Sequence, residues 1–335
     1  MSAPQPARAP SSLGRLALRK LAHVALVVLI SYTAAFLLLF VLPGDAVLAR
    51  IGAAGEGVGS AQLGSLELDE LRAEVGLADS LLVQYLRGLA GLATGDLGTS
   101  LVNDQPVAEL IAEALPNTVT LAVTSLVLSV VLAFGMALLA VYPRTGWVRS
   151  VAALLPSMYV SLPVFWVGVL MIFLFSSTLG WFPATGSRGA ASLVLPTVVL
   201  ALSGAAQFAQ VLIASLRTEL AATYAAVTAP AKGASRLRVL LHHCLRNAAI
   251  PFLTVFGLRV GSLLGGTVIV EMVFSRTGIG RLLVDSVKSV DLTVVLGVVV
   301  VVALVYVVVN ALVDVGYVLL DPRLRRPAEV TEVSS

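Results

Sequence analysis

Six long apolar stretches run through this chain, separated by short segments that carry most of its charge. The apolar runs cover 23–42, 118–141, 151–175, 193–216, 252–274 and 293–320. Each reaches the ~20 residues that a helix needs to cross ~30 Å of hydrocarbon. None shows the alternating segments of about ten residues expected of a transmembrane barrel. The pattern predicts an all-α fold: a polytopic membrane protein with six transmembrane helices. Pro156 and Pro163 in the third run predict kinks. Gly261 and Gly265 in the fifth form a small-xxx-small pair suited to close helix packing.

The segments between the runs set the domain plan. Residues 1–19 read as a cytoplasmic N-terminal tail and 20–42 as the first transmembrane helix. That run is longer than the 7–15-residue core of a signal peptide, and no A-x-A-like site precedes Pro43-Gly44-Asp45, so the helix reads as uncleaved. Residues 43–117 hold eleven Asp/Glu and three Arg. So few cations fit the outside of the membrane, and the stretch reads as a small extracytoplasmic subdomain. Within it, 69–75, 81–92 and 107–115 look helical, the last ended by Pro116, and Gly95-Asp96-Leu97-Gly98 is a turn. Residues 118–320 form a core of five further spans, and 321–335 a cytoplasmic C-terminal tail.

Composition agrees. Of 335 residues, 58% are hydrophobic and 12% charged, with mean hydropathy +0.96; soluble domains carry about 25% charged residues. The net charge of +3 sits in segments assigned to the inside, so it is topogenic and does not imply nucleic acid. A single cysteine, Cys244, excludes an internal disulfide.

The segment 217–251 is the most patterned of the polar stretches. Arg217, Lys232, Arg236, Arg238 and Arg246 face one acid, Glu219, which places it in the cytoplasm. Apolar residues from Leu237 to Ala249 recur at helical spacing beside a basic face. Gly233 interrupts the segment where a helix can end and turn. The expectation is two short helices meeting at Gly233 and offering a surface to a soluble partner.

Polar groups within the spans are costly and mark candidate functional positions. Gln207 and Gln210 share a face of the fourth helix, Arg259 and Glu271 lie on the fifth, and Asn310 and Asp314 are four apart on the sixth. Two readings stand: these residues line a translocation path, or they hold the bundle together, for example by an Arg259–Asp314 pair. No nucleotide site is present, because none of Lys20, Lys232 and Lys288 follows a glycine as a phosphate-binding loop requires. Adjacent His242, His243 and Cys244 point ~100° apart on a helix and predict no metal site. His23 lies at a membrane edge, away from these two, which argues against an intramembrane enzyme. A self-sufficient secondary transporter would show internal repeats with broken helices and would leave 217–251 unexplained.

Several blocks resemble one family: the permease subunits of bacterial ABC importers of the dipeptide/oligopeptide/nickel class, the first of the two permeases usually paired there. The blocks are Leu42 to Asp45, Leu71 to Leu101, Pro106 to Ala122, the segment through Tyr224, Ala229, Lys232, Gly233, His243, Arg246, Asn247 and Pro251, then Gly261 to Val287 and Asn310 to Arg325. Five or more such blocks in order make the resemblance specific. It departs at Thr223, Val227, Thr228 and Pro230, and at Arg259, where the family commonly has an uncharged polar residue.

The resemblance implies the type I importer permease architecture. It implies location in the bacterial cytoplasmic (inner) membrane with both termini inside. It implies a second permease, two ATP-binding subunits that carry ATP and Mg, and an extracytoplasmic substrate-binding protein, with no cofactor on this chain. The segment 217–251 becomes the loop that docks on an ATPase. The cargo implied is di- or oligopeptide, with nickel or a metal chelate as the alternative.

Overall fold

The structure, a computed structural model, describes residues 11–41, 79–222, 233 and 235–320. Its helices are α1 (Ser11–Val41), α2 (Leu81–Thr94), α3 (Val107–Val141), α4 (Gly146–Val160), α5 (Val164–Met171), α6 (Ala191–Ala221), α7 (Leu245–Val273), α8 (Ile279–Lys288) and α9 (Leu292–Leu320). Wider π-helical turns extend α5 through Ile172–Thr178 and precede α7 at Val239–Cys244. Among the described residues Thr99 and Pro106 form an isolated antiparallel bridge, and no named strand occurs. The all-α expectation holds.

Among the described residues five helices are long and apolar enough to cross a membrane; α4 and α5 together supply a sixth span if the bent pair is counted as one. The predicted kink in the third run is a break. α4 and α5 meet at an angle of 107°. Pro163 stands at the N-cap of α5, and a proline disfavours helical backbone in the residue before it. Pro156 lies buried inside α4 without ending it.

Pro116 does not end a helix either. The predicted short helix 107–115 and the second span are one 35-residue rod, α3. Pro116 lacks one N–H and so leaves one helix bond unmade, to the Ala112 carbonyl; its own carbonyl accepts from Thr120 Oγ1 at 2.7 Å.

The chain divides into two compact units, Met1–Leu110 with Asp285–Val308, and Ile111–Val284 with Val309–Ser335. In the first, Tyr32 of α1 is buried against Tyr85 of α2, ring centroids 5.6 Å apart, and Thr33 shares a 2.9 Å hydrogen bond with the Tyr85 hydroxyl. Gly88 leaves the room that the Tyr32 hydroxyl fills. The α2 helix and the Gly95–Gly98 turn follow the sequence reading, with left-handed backbone at both glycines. The Asp291 carboxylate accepts from the Ser100 hydroxyl and from Leu101 N and Val294 N at 3.2 and 3.3 Å, which caps α9. Residues 42–78 of the predicted outer region, and the predicted helix 69–75, lie outside the described residues.

In the second unit α6 is the central helix, packed by α7, α4 and α5. Small residues Ala201, Gly204, Ala205 and Ala209 on α6 are buried and allow this close approach. One apolar cluster joins Ala137 and Ala140 of α3, Phe208, Leu212 and Leu216 of α6 and Leu240, Cys244, Ala248 and Phe252 of the α7 run. A second joins Leu121, Val167, Leu195, Val199, Leu263 and Phe274.

Candidate translocation path and coupling segment

After α6, Ala222 turns to extended backbone. Gly233 has φ +80°, is exposed, and has no atom within 4 Å of where a Cβ would stand. Only glycine holds this backbone without penalty. Ser235 Oγ then accepts from Arg238 N at 3.3 Å and starts the next helix. That helix is not the short piece expected from the sequence. It runs without interruption from Arg236 into α7, because Val239, Leu240, Cys244 and Ala248 continue one apolar stripe against α6 and Pro251 is accommodated inside the helix.

His243 is half-buried, and Arg246, Asn247 and Pro251 are exposed. Asn247 Nδ2 donates to Glu219 Oε2 at 2.8 Å. This bond joins the last turn of α6 to the first turn of α7, so it closes the neck of the whole segment. Nothing in the sequence pattern marks Glu219 as the partner of Asn247. Tyr224, Ala229, Pro230 and Lys232 lie outside the described residues. The His242 and His243 rings stand nearly perpendicular, 5.8 Å apart, and among the described residues no group of three metal-ligating side chains forms.

Three of the candidate path residues belong to one side of α6. Gln207 and Gln210 lie on the accessible stripe of α6, while Ala205, Ala206, Phe208 and Ala209 around them are buried. Arg259 of α7 reaches the same face, where Nη2 donates to Ser203 Oγ at 3.0 Å. Gln210 Nε2 approaches Ser157 Oγ at 3.5 Å, a long contact. Ser203 and Ser157 were not singled out in the sequence. The spacing of Ser203, Gln207 and Gln210 at i, i+4 and i+7 is the signal that identifies the first. Asn310 is half-buried on α9, and the Asp314 side chain lies outside the described residues, as does any pair it makes with Arg259.

Glu271 sits apart, ~18 Å farther along α7 than Arg259 at 1.5 Å per residue. It is 0% exposed. Its carboxylate accepts from Thr118 Oγ1 at 2.6 Å, Gly280 N at 2.8 Å and Arg281 N at 3.3 Å. Thr118 Oγ1 in turn accepts from Ile279 N at 2.8 Å. The orphan amides of the first turn of α8 are thereby satisfied by residues from α3 and α7. Arg276, also buried, donates through Nη1 to the carbonyls of Gly186 and Ser192 at 3.4 and 3.1 Å. Burial pulls its guanidinium below the ordinary value, and Glu271 opposes that shift. Asn117 Nδ2 donates to the Thr277 carbonyl at 2.8 Å, and Thr277 N to Ser187 Oγ at 2.8 Å. The first third of α3 at Asn117 and Thr118, the start of α6 and the end of α7 are thus fastened to one loop, residues 274–281.

The sequence matches the binding-protein-dependent transport system inner membrane components over residues 137–326, and the N-terminal part of such membrane components over residues 13–122. The chain belongs to this family. A probable peptide ABC transporter permease protein of Sinorhizobium fredii is 35% identical over 323 residues, covering 93% of this chain and 100% of that protein. A putative peptide transport system permease protein of Brucella abortus is 36% identical over 318 residues, covering 92% and 98%. A glutathione transport system permease protein of Escherichia coli is 37% identical over 290 residues, covering 87% and 92%.

The fold is similar to that of a chain of the MetNI methionine ABC transporter in inward-facing conformations, with TM-score 0.54 at 16% identity over 63% of the permease and 96% of that chain. By its family and relatives the permease is an inner-membrane component of an ABC importer, and its family works with ATP-hydrolysing subunits and substrate-binding proteins. It is a transport subunit and not an enzyme.

Proposed function

We propose that this permease forms, with a second permease, the translocation path of a di- or oligopeptide importer. Two ATPase subunits bind ATP and Mg and drive it, and an extracytoplasmic binding protein delivers the cargo. The observation that carries the reading is similarity along nearly the whole chain to proteins named as peptide permeases, 92–93% of the chain at 35–36% identity. The glutathione permease relative fits the same cargo class, since glutathione is a tripeptide.

The basic segment 217–251 lies in the cytoplasm with both termini, and residues 43–117 face outside; the excess of Lys/Arg in the first and of Asp/Glu in the second supports this sidedness. The loop around Gly233 docks on an ATPase, and the bond between Glu219 and Asn247 holds its two ends together. Gln207, Gln210 and Arg259 line the path, with Asn310 and Asp314 as further lining candidates. Glu271, enclosed by its own fold, holds the outer ends of the spans.

Co-purification tests the assembly. The tagged permease, extracted from native membranes in mild detergent, is expected to bring two ATPase subunits and a second permease. With the binding protein added, that complex in liposomes is expected to accumulate peptide only when ATP is supplied. Uptake by this chain alone without ATP would refute the proposal.

A further inference from the structure

Arg259 carries a full charge among the spans, and its described bond runs to a neutral hydroxyl, Ser203 Oγ. No carboxylate pairs with it among the described residues. The buried guanidinium of this unit, Arg276, has two carbonyls and the field of Glu271. A cation at membrane depth is expensive and marks a pathway or a counter-charge for something that arrives. The guanidinium fork matches a carboxylate, which it binds with two parallel donors.

The surroundings fit a ligand longer than a lone anion. Ser203, Gln207 and Gln210 continue from Arg259 down the accessible stripe of α6, and all are neutral donors and acceptors. The seven residue steps from Ser203 to Gln210 span ~10 Å of helix, about the length of three extended peptide residues. Gly204 makes room for Ser129 beside this stripe: a Cβ there would stand 2.6 Å from Ser129 Oγ, and at an ordinary contact distance, 3.5 Å, from Arg259 Nε.

We propose that Arg259 is a way-station in the path for cargo with a free C-terminal carboxylate, with the α6 stripe taking the peptide groups behind it. The inference rests on the peptide-importer reading and adds a selection step inside the membrane, after the binding protein has released its cargo.

The test uses the complete complex with its binding protein in liposomes. Trialanine and trialanine amide are supplied at concentrations that saturate the binding protein. Wild type is expected to import the acid at least tenfold faster than the amide. Arg259→Gln should bring that ratio close to one, Arg259→Lys should keep part of it, and Leu258→Ala, at a neighbouring outward-facing position, should leave it intact. In detergent, without binding protein or nucleotide, wild type should retain radiolabelled trialanine at least tenfold more tightly than Arg259→Gln. An unchanged ratio in Arg259→Gln, or a wild type that retains no trialanine, overturns the proposal. So does an Arg259→Gln chain that no longer holds the second permease, which would make the charge an assembly contact. A wild-type complex that imports neither peptide overturns the peptide reading itself.

Discussion

Replacing Glu271 with alanine is expected to unfasten the loop that ties α3, α6 and α7 together. The carboxylate is fully enclosed and accepts one hydroxyl and two amide donors at 2.6, 2.8 and 3.3 Å. Each bond to a charged group contributes about 1.5–3 kcal/mol, and a buried donor left empty loses its solvation as well. Arg276 would also lose its opposing charge. Some relief comes from water entering, so a loss of about 3–5 kcal/mol is expected, the range for breaking a buried charge pair. At 1.36 kcal/mol per decade this is a factor of at least ~10² in local opening. Hydrogen exchange followed by mass spectrometry over 275–284 reads it directly, because the Gly280 and Arg281 amides donate to this side chain. Glu271→Gln retains one acceptor oxygen and is expected to lose about 1–2 kcal/mol. If Glu271→Ala left exchange at Gly280 and Arg281 unchanged, the fastening role would be refuted.

Other perturbations follow from the same geometry. Gly280→Ala would place a Cβ 2.5 Å from Val268 Cα and 2.9 Å from Glu271 Oε2, so a loss of about 1–3 kcal/mol is expected and a lower melting temperature in detergent should show it. Asp291→Ala removes the acceptor of Ser100, Leu101 and Val294; a loss of about 2 kcal/mol is expected, seen as faster proteolysis between Leu97 and Gln105. Gly233→Val forces a β-branched residue to φ +80° at a penalty of about 1–3 kcal/mol; binding-protein-stimulated ATP hydrolysis should be lost, and full coupling would sink the docking assignment. Asn247→Ala breaks an exposed bond to Glu219 and is expected to change stability by under about 1 kcal/mol. It should still let the complex hydrolyse ATP while importing less peptide per ATP.

The sequence shows spans well and corners poorly. Length and hydropathy mark all six apolar runs as helical, because the hydrocarbon imposes one scale on them, but not their ends: the second helix starts at Val107, eleven residues before the run, and the third run is two helices. Prolines mislead, since their effect depends on what surrounds them. Pro116 passes through α3, Pro156 through α4 and Pro251 through α7, whereas Pro163 breaks its run. The apolar stripe from Val239 to Ala248 is legible, but its continuation past Pro251 depends on α6 lying beneath it. Of the candidate path, Gln207 and Gln210 follow from helical spacing. Arg259 joins them only through the packing of α7 on α6, and the Thr118 and Gly280 partners of Glu271 are 153 and 9 residues away.

The unbroken length of α3 has a mechanical meaning. Thr118, which holds the Glu271 loop, and Ala140, buried in the other apolar cluster, lie ~33 Å apart along one unbroken helix, about a bilayer thickness. A rod that tilts about its middle moves its two tips in opposite senses, ~1.5 Å each for ~5°. Opening on one side of the membrane and narrowing on the other then become one displacement. A hinge between Thr118 and Ala140 would have let one tip lag; the continuous helix there makes the two displacements reciprocal by geometry.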